Sequence, residues 1–167
     1  MARKTYDHLS NEDLKKAAEI ISKEKATDET ADALIDRVLS TLDTYDGAGF
    51  VANYTTVEEL NKYADSFYIG KTVPFETIKT GRKTTDQAVE YVRRGDCVVL
   101  YQIISKKGKD ASSLYNALNR KDVNDKVIYK KNSEFKVVHT RYAPHTKKGG
   151  TPYSLLHVIL EDIEQSI

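Results

Sequence analysis

The residues of this chain best suited to nucleophilic, acid–base or metal chemistry are one cysteine and four histidines, and their spacing assembles none of these chemistries. Zinc needs three or four ligands at short, regular intervals, which Cys97, His8, His139, His145 and His157 do not offer. His139 follows the extended run Phe135–Val138 and comes within reach of Glu134 or Arg141, but no nucleophile accompanies it. His157 lies in a run whose alternate residues are apolar, the usual setting of a surface or hydrogen-bonded histidine. Ser112-Ser113 lacks the strand–turn–helix setting of a nucleophile elbow. Cys97 opens an apolar run and reads as a buried, inert thiol. Gly70-Lys71-Thr72 has the tail of a phosphate loop without the upstream glycine that lets backbone N–H groups wrap a phosphate, and Gly-x-Gly-x-x-Gly is absent. Of 11 tyrosines, Tyr101, Tyr129, Tyr142 and Tyr153 stand near basic residues. Rings so placed can stack on a base or an adenine, or simply cover half-buried strands.

The elements that would carry these residues change character along the chain. Ser10 with an acid at Asp13 predicts a helix start, and Leu14, Ala17, Ala18 and Ile21 fall on one helical face. A second helix is expected from Thr27 or Asp28, with Ala31, Leu34, Ile35, Val38, Leu39 and Leu42 as its stripe. Asp46-Gly47-Ala48-Gly49 closes this helical part. Phe50–Tyr54 then reads as a short strand, and Thr56 with Glu59 caps a short helix through Val57, Leu60 and Ala64. Thr72–Thr80 reads as one extended run broken by Gly81, with Pro74 suited to an edge. Thr84 or Thr85 caps a helix through Ala88, Val89 and Val92 that Gly95 ends. Cys97–Ile104 is the most apolar run and is expected in the middle of a sheet. Ala111–Asn119 is a short helix or an irregular crossover. Lys126–Tyr129 and Glu134–Val138 read as two strands joined by a tight turn at Asn132-Ser133. His145–Gly150 reads as a loop and Tyr153–Leu160 as a last strand.

A chain of 167 residues, 40% hydrophobic and 31% charged, is ordinary for one soluble domain with a sizeable core. No apolar run is long enough for a membrane helix, and no apolar stretch follows Met1–Tyr6 as in a signal peptide. One cysteine allows no internal disulfide, so a cytoplasmic setting is expected. The net charge of +1 hides an asymmetry. Residues 1–70 hold 8 Lys or Arg against 14 Asp or Glu, and the remainder 18 against 11. A basic half can meet nucleic acid, nucleotide phosphates or an acidic protein; dispersed lysines are equally the mark of a solvated surface. Helices followed by mostly strands with short connections argue for an α+β fold.

Three stretches, Lys126–Val138, Val73–Ala88 and Leu155–Leu160, stand in an order that resembles the mono-ADP-ribosyltransferase fold, in the branch shared by clostridial exoenzyme toxins and phage enzymes. In that family an arginine-bearing strand is followed by a Ser-Thr-Ser strand with its helix, then by a strand opening on Glu-x-Glu, a Phe-x-Val strand and a closing strand. The resemblance puts Val127-Ile128-Tyr129 and Phe135-Lys136-Val137 at the family's spacing. It puts Lys126 where the catalytic glutamate would be and Asn124 at the first glutamate. Ala52 or Asn53 then stands for the arginine, and Thr80-Gly81-Arg82 for Ser-Thr-Ser. ADP-ribosyl transfer passes through an oxocarbenium-like state that a carboxylate stabilises; an ammonium carries the wrong sign. Asp125 is adjacent, but strand alternation turns it to the other face.

The resemblance implies a single-domain α+β protein whose N-terminal helices pack on two mostly antiparallel β-sheets, with residues 1–46 as a helical layer and 47–167 as a mostly β part. It implies a catalytically degenerate, phage-encoded protein that binds a protein partner or a nucleotide without a resident cofactor, Arg82, Thr80, Lys126, Tyr101 and Tyr129 lining the former cleft. A second reading is an active transferase using NAD, with Asp125 or Glu134 as a displaced acid and Arg82 holding the pyrophosphate. A third is a nucleic-acid-binding module using Lys106, Lys107, Lys109, Lys130, Lys131, Arg141, Lys147 and Lys148.

Overall fold

A computed structural model describes residues 9–25, 28–146 and 149–163, with 63 and 64 in backbone only. His8, Thr27, Lys147 and Lys148, and the side chain of Ala64, lie outside the described set. The chain forms two compact units. The first comprises Met1–Asp46, Phe75–Thr80 and Lys106–Ser133; the second comprises Gly47–Pro74, Gly81–Ser105 and Glu134–Ile167. The helical layer expected over 1–46 is thus joined in its own unit by two later segments.

In the first unit, α1 (Asn11–Lys23) starts on the expected capping box. The Ser10 hydroxyl accepts from the Asp13 N–H and the Asp13 carboxylate from the Ser10 N–H, both at 3.1 Å. Two of the helix's four orphan donors are satisfied this way. α2 (Glu29–Thr41) is capped by Asp28, whose Oδ1 accepts from Ala31 N–H at 2.8 Å. The predicted stripes of both helices are buried, and they form one cluster with Ala111, Leu114, Tyr115 and Ile128. Fully burying each leucine, isoleucine or valine among them contributes ~1.5–3 kcal/mol. Leu114 and Tyr115 belong to α5 (Ser112–Ala117). Ile128 belongs to β6 (Lys126–Tyr129), which pairs antiparallel with β5 (Lys109–Asp110). Gly108 is required beside this pair: a Cβ there would lie 2.7 Å from Val127 Cγ1 and 3.1 Å from Tyr129 Cε1.

The second unit is built on β1 (Ala48–Thr55), β2 (Thr72–Pro74), β4 (Cys97–Ile104), β7 (Glu134–Thr146) and β8 (Pro152–Asp162). β3 (Lys79–Arg82) begins in the first unit and ends in the second, so Gly81 continues a strand where a break was expected. The strand order is β2-β7-β8-β4-β1-β3. β4 is interior, as its apolar run predicts; it pairs antiparallel with β1 and parallel with β8. The other pairings in this unit are antiparallel, and the α+β class holds. α3 (Val57–Ala64) follows β1, with Glu59 N–H donating to the Thr56 hydroxyl. α4 (Thr85–Ala88) starts on a Thr84–Gln87 capping box. Val89 and Val92 beyond it cover Val98, Leu100, Tyr153 and Leu155 on one sheet face.

Two further expectations fail here. Lys126–Tyr129 and Glu134–Val138 are both strands, but they do not form a paired hairpin. β6 pairs with β5, while β7 pairs with β2 and β8. The turn between them uses Asn132 in the left-handed region (φ 69°), and its backbone bonds to Phe75 on both sides, Asn132 N to Phe75 O at 2.7 Å and Phe75 N to Ser133 O at 2.8 Å. β7 also runs to Thr146, well past Val138, and so includes His139 and the start of the expected His145–Gly150 loop.

Candidate functional site

The pleat of β1 and β4 decides which side chains meet. Val51 stands opposite Tyr101 and Asn53 opposite Val99, so these four share one sheet face. Ala52 is on the other face and packs against the Val98–Leu100 cluster. Of the two positions that the resemblance offers for the arginine, only Asn53 therefore shares a face with Tyr101. Asn53, Thr55, Val99 and Tyr101, together with Phe67 from the loop after α3, line a cleft of about 170 Å³. Phe67 meets Tyr101 edge-on, ring centroids 5.8 Å apart at 75°, the arrangement that the ring quadrupoles favour. The Lys71 ammonium lies 5.5 Å from the Phe67 centroid and 5.9 Å from that of Tyr68. A cavity of ~150 Å³ accommodates a benzene, so this cleft has room for one planar ring. Phe67 escaped the sequence reading because it sits outside any periodic run.

The other predicted site residues are held by their own units. Thr80 donates its hydroxyl to Ile21 O at 2.9 Å and its N–H to Glu24 Oε2 at 3.1 Å, fastening β3 to the end of α1. Arg82 binds Glu90 at 2.6 Å, with the two side chains 20% and 40% exposed. Tyr129, expected to line a cleft, is fully buried and meets Phe75 edge-on at 6.0 Å, so its ring is core and presents no stacking face. Lys126 is half-buried at the start of β6 on the same face as Ile128, whose side chain joins the helical cluster. Asp125 lies within electrostatic reach of Tyr115. Burial pushes the Tyr115 hydroxyl above its ordinary pKa, Arg120 opposes this, and the Asp125 carboxylate adds to it. Glu134, in the second unit, is exposed at the first position of β7, opposite Pro74. The two candidate displaced acids thus belong to different units. Lys130 and Lys131 lie 3.4 and 3.6 Å from Asp36 and Asp32 in the first unit, while Arg141 is in the second.

His157 is hydrogen-bonded to Gln102 at 2.8 Å. Burial lowers its pKa, and His145, His139 and Arg141 lower it further. Among the described residues no group of three or more His, Cys, Asp or Glu is arranged to hold a metal ion. No described helix is long and apolar enough to cross a membrane.

The architecture is that of the ADP-ribosyltransferases. It matches the ADP-ribosyltransferase Vis in complex with agmatine at a TM-score of 0.61, with 14% identity over 93% of this chain and 76% of that one; Vis is a toxin from Vibrio splendidus. HopU1 of Pseudomonas syringae matches at 0.54 and 15% identity, over 78% of this chain and 54% of that one. C3larvin, an ADP-ribosyltransferase toxin from Paenibacillus larvae, matches at 0.54 and 8% identity, over 92% and 97%. No family model and no curated protein matches the sequence. The expected fold is therefore present in the course of the backbone, although β6 and β7 do not pair with each other as a hairpin.

Proposed function

We propose that this chain is an ADP-ribosyltransferase-fold protein that does not transfer ADP-ribose and acts by binding a protein partner. The observation that carries the reading is Lys126, an ammonium at the start of β6 where the resemblance calls for the catalytic carboxylate. A positive side chain there opposes the charge that develops on a ribosyl oxocarbenium. Two further facts support it. Thr80, the one hydroxyl retained at the Ser-Thr-Ser position, is bonded to the end of α1, and Arg82 is ion-paired with Glu90. An ammonium, a bonded hydroxyl and an ion-paired guanidinium do not fit the reactive end of NAD. A phage-encoded origin accords with the branch of the family that the sequence resembles.

The Phe67–Tyr101–Asn53 cleft favours a second, compatible reading, in which one nucleobase-like ring is held between an aromatic edge and a side-chain amide. Thermal melting with and without millimolar NAD, adenosine or nicotinamide separates the readings, because a ligand of the folded state raises the melting temperature. The expected result is no transfer of labelled ADP-ribose to any protein in a host extract. A rise with adenosine or nicotinamide that Tyr101→Ala abolishes supports the ring site. Transfer that depends on Asp125 or Glu134 overturns the main reading.

A further inference from the structure

The outer edge of β7 is closed, then open, then blocked. Its direction follows from Pro144, which stands opposite Ser154. Pro144 has no N–H, and the Ser154 N–H is bonded to Asp96 O at 2.9 Å on the β4 side. The two therefore form a non-hydrogen-bonded pair, whose backbone groups point away from each other. By alternation Thr140 and Tyr142 also turn their N–H and C=O groups away from β8. Earlier in the strand the outward groups are covered. Phe135 faces Val73 of β2, and Val137 exchanges backbone bonds with the loop before β2, Gly70 N to Val137 O at 2.7 Å and Val137 N to Lys71 O at 2.8 Å. A bulge between Val137 and His139 follows. Beyond it, no described strand lies on this side of β7. Thr140 and Tyr142 thus present two donors and two acceptors in line, and Pro144 ends the row of donors.

The side chains flanking this opening are basic and aromatic. His139, Arg141 and Tyr142 are exposed, Tyr142 at 50%. The groups beside His157 that lower its pKa, His145, His139 and Arg141, are all basic. An exposed strand edge invites another strand. A second copy of this chain is disfavoured, because two such edges would bring one Arg141 guanidinium against the other, and like charges opposite each other destabilise a pair.

We propose that the Thr140–Tyr142 edge binds an extended, acidic segment of a partner protein by strand addition, with backbone bonds giving the pairing and Arg141 and His139 selecting for carboxylates. This deepens the reading that the chain acts by binding a protein, and rests on it. The test is nuclear magnetic resonance of the isotope-labelled full chain with a capped peptide of alternating Glu and Val, an alternating Lys–Val peptide, and poly(U). The expected result is that the Glu–Val peptide shifts the Thr140 and Tyr142 amides and slows their exchange. Tyr142→Pro, which removes one outward donor, should weaken binding about tenfold, the loss of roughly one hydrogen-bonded contact to the edge. Arg141→Glu should reverse the preference toward the Lys–Val peptide, and it keeps the proposal testable if the proline variant does not fold. No shift at Thr140 and Tyr142 in the folded protein overturns the proposal. So does Glu–Val binding that ignores both substitutions. Shifts from poly(U) that Arg141→Glu abolishes and Tyr142→Pro leaves intact would assign the edge to a polyanion instead. None of these outcomes bears on ADP-ribose transfer, which is measured separately.

Discussion

The two units treat residues of chemical type in opposite ways. In the first, two of the candidate site residues are built into the fold: Thr80 fastens β3 to α1, and Tyr129 is core. In the second, Asn53, Thr55, Phe67 and Tyr101 converge on an open cleft, and the end of β7 offers backbone groups to solvent. The same frame can thus hold side chains of chemical type as fastenings in one unit and leave them at an open cleft in the other.

This contrast can be broken most forcefully in the first unit. Tyr129→Ala removes a fully buried ring and should cost about 3–5 kcal/mol in urea unfolding; a near-neutral result would mean that the ring is not core. Gly108→Ala sets a Cβ 2.7 Å from Val127 Cγ1, an overpacking expected to cost about 1–3 kcal/mol. Thr80→Val should cost about 1 kcal/mol through the lost bond to Ile21 O, and Thr80→Ser should recover most of it. Tyr101→Ala sharpens the other side of the comparison. It should remove ring binding in the cleft while costing less stability than Tyr129→Ala, because Tyr101 is only half-buried.

The smallest effect is in pH. The His157 pKa is lowered in the folded state, so between the folded and unfolded values the unfolded chain binds more protons. Its contribution to stability is complete above the ordinary histidine value of about 6.5 and is lost as pH falls through that value toward the lower folded pKa. Melting temperature should therefore decline on acidification through this window, and His157→Gln should flatten the decline. An unchanged slope in that variant would assign the effect to other groups.

Much of this was legible in the sequence, for physical reasons that differ by element. α1 and α2 announce themselves through side-chain caps and stripes at helical period, both local features. β4 does so through an unbroken apolar run, which only an interior strand can bury. The hairpin is not legible this way, because adjacency in sequence does not fix which strands pair. Val127, Ile128 and Tyr129 are all buried, and that run without alternation already called for cover on both faces, which a two-stranded hairpin does not supply. The length of β7 was hidden by its polar second half, which looks like a loop because its edge is exposed. The cleft was half legible. Tyr101 is marked by its ring in a strand near basic residues, whereas Phe67 comes from a loop whose place only the tertiary fold determines.

The central claim is that this fold works here without transfer chemistry. Release of nicotinamide from NAD tests it most directly, with Vis as the active reference and Asp125→Asn and Glu134→Gln variants alongside. The account predicts release at the uncatalysed rate for the wild-type chain and for both variants. Release well above that rate, lost in either variant, would contradict it.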